Sequence, residues 1–224
     1  MNGNSILNKA RYSVDTDEWY TDYKTVEEEL AHYTLQFEGK TVLCNCDDPF
    51  ESAFSKYFLR NFRALKLRKL ICTSYKGSRI VENIKMHDNE CQDLTSQCAY
   101  VMVVENSLDI PDSFGSDEAI DEFLKTKGIV RRLKGNGDFR SDECVEYLKE
   151  ADIICTNPPF SKFTELFSLL IRYKKRYLII GNQNAITYKE IFPFLKNGQA
   201  WIGYRFGDMA FKVPDNTAPR KTRF

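Results

Sequence analysis

"KTVLCNCDDPFESAFSKYFLRNFRALKLRKLICTSY" (residues 40–75) is the stretch that decides the fold. Its two ends, 40–46 and 68–75, are short apolar runs of the kind that form buried strands. The segment between them is long enough for one helix. A strand, a helix and a second strand within about 35 residues are typical of the repeating unit of a parallel sheet.

The middle of this stretch has the pattern of an amphipathic helix. Asp48 is the predicted N-cap, Pro49 suits the first helical position and Glu51 the third. Large apolar residues recur at helical spacing on one face: Phe50, Phe54, Tyr57, Phe58 and Phe62. This face is expected to pack against the sheet.

The same alternation continues on both sides. Strands are predicted at 99–106, 152–157, 176–182 and 199–206, with a weak strand between 128 and 139. Helices are predicted at 25–37 (from the Thr25–Glu28 capping-box spacing), 116–128, 141–150 and 161–173, and a short one interrupted at Pro193. The sequence therefore predicts an α/β fold with a doubly wound, mostly parallel sheet, in which ligands bind beyond the carboxyl ends of the strands.

A proline-rich turn follows the predicted strand at 152–157. In "ADIICTNPPFSKF" (151–163), Pro158 and Pro159 remove two backbone donors and stiffen the chain, so Asn157 and Phe160 are presented at the strand end. The Asn157 side-chain oxygen and the Pro158 carbonyl are two acceptors, which suits an exocyclic amine with two hydrogens. Phe160 can stack on a planar ring. The pattern indicates alkylation of an amino group, although a plain strand-to-loop stop remains open.

Composition narrows the class of protein. Lys+Arg and Asp+Glu are both 32, so net charge does not argue for nucleic-acid binding. Four basic runs (59–70, 130–140, 171–177, 219–224) are expected to be solvated faces, or together a phosphate-facing surface. The seven cysteines show no zinc spacing, and with no signal peptide and no apolar run of membrane length they predict a reducing cytoplasm. His32 and His87 lack partner spacing, so no metal site is predicted.

Three longer stretches carry a family resemblance. "TNPPF" resembles the [DNS]-P-P-[YFW] motif of amino-methyltransferases that use S-adenosylmethionine. Together with "VLCNCDDPFESAFSKYF", "GNGDFRSDECVEYLKEADIICTNPPFSKF" and "LIIGNQNAITYKEIFPFLKNGQAWIGYRFGDMAFKVP", it resembles the EcoRI-type adenine-specific modification methylases from about residue 10 to 216. The resemblance implies a Rossmann-like class I methyltransferase fold.

The resemblance also implies the site residues. Asn157, Pro158, Pro159 and Phe160 take the catalytic motif, and Asp47, Asp48 and Pro49 replace the usual glycine-rich cofactor loop. Either acid can meet the cofactor's ammonium group, and the amides after Pro49 its carboxylate. Asp138 is expected to bond the cofactor's adenine amine and Phe139 to pack on its ring. Trp19, Tyr20 and Thr21 are expected near the methionine end. No acid follows the second strand, so Ser74 is the candidate ribose contact.

The implied activity is methylation of a flipped-out adenine at N6 in double-stranded DNA, in a restriction-modification, phage or mobile-element setting. The predicted domain is 19–216 with a polar insertion near 76–128, between a polar segment 1–18 and a tail 217–224. Two alternatives remain: an amino-methyltransferase of RNA or a protein amide, and a C-terminally truncated, inactive remnant or DNA-binding module, because members of the resembled family continue further. Oligomeric state is not predicted.

Overall fold

The chain folds around a central sheet in the computed structural model, which describes residues 20–75, 99–127, 129–205 and 211–212. The strands are β1 (Tyr20–Thr21), β2 (Thr41–Cys44), β3 (Lys69–Thr73), β4 (Tyr100–Glu105), β5 (Val130–Arg132), β6 (Ile153–Thr156), β7 (Arg176–Ile179) and β8 (Phe211–Lys212). The helices are α1 (Tyr23–Leu30), α2 (Ala53–Arg60), α3 (Asp117–Thr126), α4 (Asp142–Glu150), α5 (Phe163–Arg172) and α6 (Phe192–Lys196). Short 3₁₀ turns cover Ala31–Gln36, Phe160–Lys162 and Gln183–Thr187.

Six strands form the main sheet in the order β5-β4-β3-β2-β6-β7. The β2–β3, β2–β6 and β6–β7 pairs are parallel, and β4 runs antiparallel to both of its neighbours. β1 and β8 pair separately as a two-stranded antiparallel sheet. The Rossmann-like, mostly parallel α/β class predicted from the sequence is confirmed.

Helices cover both faces of the sheet, as a doubly wound fold requires. On one face, α1, α2 and α3 pack over strand residues that include Val42, Cys44, Leu70 and Cys72. On the other face, α4 and α5 pack over alternate strand residues that include Leu43, Ile71 and Ile154. The five aromatic residues predicted for the first crossover helix are all buried, although Phe50 precedes α2 and Phe62 follows it: Phe50, Phe54, Tyr57, Phe58 and Phe62.

Two helix starts differ from the prediction. α2 begins at Ala53 with Ser52 as its N-cap, since the Ser52 hydroxyl accepts from the Phe54 amide at 3.1 Å. Asp48 instead caps the turn before the helix. α1 begins at Tyr23 with Asp22 as its cap, so the Thr25–Glu28 capping box does not form. In both cases two nearby polar residues could serve as the N-cap, and sequence spacing alone did not show which of them does.

Two predictions near the C-terminal end were wrong. Pro193 lies in the first turn of α6, where a missing N–H costs nothing, so it starts the helix instead of interrupting it. Residues 199–205 form no strand. The amides of Tyr204 and Arg205 donate to the Glu29 carboxylate at 2.9 and 2.7 Å, which satisfies donors that a sheet would otherwise use.

Candidate active site

The candidate site lies where the strand order reverses. From β2 the chain moves to β3 on one side, and it later returns to β6 and moves to β7 on the other. The turn after β2 carries Asp47 and Asp48, and the turn after β6 carries Asn157 and Pro158. Since the two strands are parallel, both turns meet at the carboxyl edge of the sheet, the expected ligand position in a doubly wound fold.

The turn after β6 holds two acceptors beside an aromatic ring. Pro159 is extended (φ −51°, ψ 130°), and its carbonyl accepts from the Lys162 amide at 2.9 Å as the 3₁₀ turn begins. Within the described ranges, the Pro158 carbonyl accepts no backbone hydrogen bond. Asn157 is half-buried, and Phe160 packs partly against the core. The prolines thus fix a short, stiff segment with Asn157 at one end and Phe160 at the other.

The Asp47 carboxylate faces this turn. It is buried, 4% exposed, and Oδ1 accepts from the Ser52 hydroxyl at 2.5 Å. Oδ2 accepts from the Thr156 hydroxyl and, at 3.4 Å, from the Asn157 amide. Burial raises the pKa of Asp47 to about 6, and the hydrogen bonds from these three donors oppose the rise.

The next residues of the same turn are held by Asp48. Asp48 Oδ1 accepts from the Phe50 and Glu51 amides at 2.8 and 3.2 Å. The Pro49 carbonyl accepts from the Ser55 hydroxyl at 2.8 Å. The predicted cofactor turn is therefore compact and rigid, although the carboxylate of Asp48 orders it locally and does not cap α2.

The "GDF" loop approaches the end of β3. Gly137 has φ +75°, and a Cβ there would lie 2.0 Å from the Ser74 carbonyl oxygen, so only glycine fits. Phe139 is buried beside Leu43 and Ile71. The carboxylate of Asp138 binds Arg140, which holds the pKa of Asp138 below its ordinary value. The loop predicted to bind adenine thus reaches the same edge of the sheet as the two turns.

The structure describes Ser74 and only part of the N-terminal motif 19–21. The Ser74 hydroxyl accepts from the Tyr100 amide at 3.0 Å and so extends the β3–β4 pairing. Its predicted contact with a ribose stays a prediction. Trp19 lies outside the described residues, and of Tyr20 only the backbone of β1 is described. Thr21 is buried at 5% exposure.

One buried hydroxyl at this edge tests whether a polar cofactor fits. Thr73 Oγ1 has no hydrogen-bond partner in the structure. Buried hydroxyls of folded proteins are normally bonded, so unpaired ones mark positions where a ligand group can be accepted. Thr73 ends β3, directly before the Ser74 carbonyl that Gly137 approaches. Together with the acceptors of Asp138 and the close approach at Gly137, the donor set fits the predicted nucleoside cofactor.

Three residues of this edge were not predicted from the sequence. Ser52 and Thr156 bind Asp47, and Arg140 binds both Asp138 and Glu165 of α5. A threonine at the last position of an otherwise apolar strand was a usable signal for Thr156. Arg140, two residues after Asp138, gave no comparable signal.

Cations of two of the predicted basic runs lie at opposite edges of the sheet. In the run 59–70, Arg68 pairs with Asp152, and Lys69 with Glu105 and Glu150, at the amino ends of the strands, away from the candidate site. In the run 130–140, Arg140 lies at the carboxyl edge. The run 219–224 lies outside the described residues.

The described part of the chain contains no group of three or more His, Cys, Asp or Glu side chains arranged to hold a metal ion. Across the same residues, no helix has both the length and the apolar character needed to span a bilayer. His32 stacks on Tyr204 with ring centroids 3.7 Å apart, and His87 lies outside the described residues.

Comparison of the sequence with known proteins identifies one family. The family model "Adenine-specific methyltransferase EcoRI" matches residues 6–224. The Type II methyltransferase M.EcoRI of Escherichia coli is 40% identical over 215 residues, which is 95% of this chain and 60% of that protein. No solved structure gave a significant match.

Two mycoplasma proteins are also similar. The Type II methyltransferase M.MgeORF184P of Mycoplasma genitalium is 36% identical over 208 residues, 92% of this chain and 54% of that protein. The Type II methyltransferase M.MpnI of Mycoplasma pneumoniae is 30% identical over 211 residues, 94% of this chain and 54% of that protein. The chain spans 54 to 60% of the length of these curated relatives.

Proposed function

The chain belongs to the EcoRI adenine-specific methyltransferase family, and on that premise we propose that it is an S-adenosylmethionine-dependent DNA methyltransferase acting on the N6 amine of adenine. The observation that carries the proposal is the meeting of two turns. The Asp47-Asp48-Pro49 turn and the Asn157-Pro158-Pro159-Phe160 turn join through hydrogen bonds at the switch point of the sheet. A restriction-modification, phage or mobile-element setting is part of the same proposal.

The substrate amine is handled by the turn after β6. The Asn157 side-chain oxygen and the Pro158 carbonyl each accept one hydrogen of the amine, which directs the nitrogen lone pair away from the aromatic ring. Phe160 stacks on the adenine, which has to leave the duplex to reach the site. The proton is lost to solvent after the new carbon–nitrogen bond forms, so no strong general base is needed.

The cofactor is proposed to lie between the turn after β2 and the "GDF" loop. Asp138 bonds its adenine amine, Phe139 supports its ring, and amides that follow Pro49 face its carboxylate. Asp48 is proposed as the partner of the ammonium group; its Oδ1 accepts from the Phe50 and Glu51 amides, while both oxygens of Asp47 bind Ser52, Thr156 and Asn157. When bound, S-adenosylmethionine supplies an electrophilic methyl group, and the residues of the chain supply position and orientation.

A methyl-transfer assay with labelled S-adenosylmethionine tests the proposal. Duplex DNA, RNA and protein are offered in parallel, and the product is identified by mass spectrometry. We expect N6-methyladenine in DNA, and its absence in the Asn157→Ala variant. Transfer only to RNA or protein would favour the first alternative, and no transfer to any substrate would favour the inactive remnant or DNA-binding module.

A further inference from the structure

We propose that Asp47 and Thr156 are positioning residues that fasten the catalytic turn to the cofactor turn, and that Asp47 does not itself bind the cofactor. The inference rests on the proposed function, because it assigns Asn157 to the substrate amine. It changes the role expected from the sequence, in which either acid of the turn met the cofactor's ammonium group.

The first observation is where the Asp47 oxygens point. One oxygen accepts from Ser52 at the start of α2, and the other accepts from Thr156 and from the Asn157 amide. Asp47 is buried, with 4% of the residue exposed, so the hydrogen bonds of its carboxylate are those that the protein provides. A buried carboxylate with three donors is satisfied without a ligand.

The second observation is the Thr156 hydroxyl, which is fully buried. It donates to Asp47 and accepts from the Cys46 amide at 3.1 Å. One side chain thereby links both strands through two successive residues of the β2 turn. The paired residues of β2 and β6 end at Leu43 and Ile154. Beyond that point, the hydrogen bonds of the Thr156 hydroxyl connect the two strands.

The third observation is a matching link at the opposite edge of the same two strands. Asp152 Oδ2 accepts from the Thr41 amide at 2.8 Å and from Arg68 at 2.9 Å. Each end of the β2–β6 pair is therefore closed by an aspartate. The Asp47 link lies next to the catalytic turn and the Asp152 link lies away from it, which makes Asp152 a natural control.

The consequence concerns Asn157. Its amide donates to the Asp47 carboxylate at 3.4 Å, and the hydroxyl of its neighbour Thr156 bonds both Cys46 and Asp47. Because Pro158 and Pro159 offer no amide of their own, these bonds help to anchor the amino end of the turn. A small displacement of a positioned group lowers a transfer rate steeply, by up to about 100-fold per ångström.

The substitutions are chosen to separate positioning from cofactor binding. Thr156→Val removes the hydroxyl at nearly constant volume, and Thr156→Ser keeps it. Asp47→Asn removes the charge but keeps an oxygen for Thr156 and Asn157, while Ser52 can accept from the new amide. Asp47→Ala removes all three hydrogen bonds of the carboxylate. Asp152→Asn changes a carboxylate at the opposite end of the β2–β6 pair, away from the site.

Three quantities are measured on each variant of the 224-residue chain: single-turnover methylation at saturating S-adenosylmethionine, calorimetric affinity for S-adenosylhomocysteine, and hydrogen–deuterium exchange of a peptide covering 153–163. We expect Thr156→Val and Asp47→Ala to slow transfer by roughly 10- to 100-fold and to speed exchange. Cofactor affinity should change less than about threefold. Asp47→Asn should transfer faster than Asp47→Ala, Thr156→Ser faster than Thr156→Val, and Asp152→Asn should leave transfer unchanged.

Two results would overturn the inference: loss of cofactor affinity in Asp47→Asn that matches its loss of transfer, or unchanged exchange in Thr156→Val. The exchange measurement needs no substrate. If the unsubstituted chain transfers no methyl group, the proposed function fails, and the exchange data still decide whether Asp47 and Thr156 hold the turn.

Discussion

Arg140 donates to both carboxylate oxygens of Asp138. The Arg140 amide and Nε lie 2.9 and 2.8 Å from Oδ1, and Nη2 lies 2.5 Å from Oδ2. A carboxylate oxygen accepts about two hydrogen bonds, so Oδ1 is saturated and Oδ2 keeps one position. Under the proposed function, the adenine amine of the cofactor binds at this remaining position of Oδ2 while Arg140 keeps the carboxylate oriented.

Asp138→Ala is expected to weaken S-adenosylhomocysteine binding by about tenfold or more, because a hydrogen bond to a charged acceptor is worth about 1.5–3 kcal/mol. Arg140→Gln should weaken it less, since the acceptor remains but loses its orientation. Glu165→Ala removes the second partner of Arg140 and serves as the control with near-normal affinity. Calorimetry gives all three values, and an unchanged affinity in a folded Asp138→Ala variant would remove Asp138 from the site.

Asn157→Ala is expected to reduce kcat while cofactor binding is kept, because it removes one acceptor for the amine. Asn157→Asp keeps an acceptor oxygen of similar shape and should retain more activity. The backbone amide that binds Asp47 is present in both variants. Melting temperature is measured beside single-turnover transfer, and a loss of stability in Asn157→Ala as large as its loss of activity would indicate a structural role.

Phe160→Ala is expected to weaken capture of the flipped base by roughly 1–3 kcal/mol, the range for base–aromatic stacking. Phe160→Trp should recover part of the loss. Since Phe160 also packs partly against the core, each variant's melting temperature has to be compared with its affinity. Equal affinity of Phe160→Ala and the unsubstituted chain for a duplex with a mispaired target adenine would argue against stacking.

Ser52→Ala should lower the free energy of unfolding by about 1 kcal/mol or more, because it removes the N-cap of α2 and one donor to Asp47. Ser55 is a matched control on the same helix, since its hydroxyl donates to the Pro49 carbonyl and it is not the helix cap. Denaturant unfolding of Ser52→Ala and Ser55→Ala gives the comparison. A smaller loss in Ser52→Ala would contradict the capping role.

The pKa of Asp47 predicts a pH dependence of stability. Burial raises the folded-state pKa from 3.8 to about 6, so the folded protein binds this proton more tightly than the unfolded chain. The resulting stabilisation is present at low pH and is lost as pH rises through about 6. The melting temperature of the unsubstituted chain minus that of Asp47→Asn should therefore increase from pH 7 to pH 5. A constant difference would place the pKa of Asp47 near its ordinary value.

Local patterns predicted most of the fold. Apolar runs and helical spacing located β2, α2 and β3. Serine caps located α3 and α4, where the side chains of Ser116 and Ser141 each accept from the amide three residues further along the chain. Patterns failed where two residues could serve one role, as with Asp48 and Ser52. They also failed at 199–205, where a distant glutamate satisfies the backbone.

The site was predicted by residue type and not by partner. The Asp47-Asp48-Pro49 and Asn157-Pro158-Pro159-Phe160 turns lie at the carboxyl ends of strands, as the sequence predicted, whereas the position of the "GDF" loop beside Ser74 was not predicted. The bond between Asp47 and Thr156 joins residues 109 positions apart, and no local pattern reports such a contact. One of the two acids that the sequence offered to a ligand, Asp47, is therefore bonded within the fold.

The most direct test of the central claim is mass-spectrometric detection of N6-methyladenine after incubation of duplex DNA with S-adenosylmethionine and this chain. RNA and protein are offered separately, and Asn157→Ala is the control. The account predicts N6-methyladenine in DNA with the unsubstituted chain and its loss in the variant. Methylation confined to RNA or protein, or N6-methyladenine formed equally by Asn157→Ala, would contradict it.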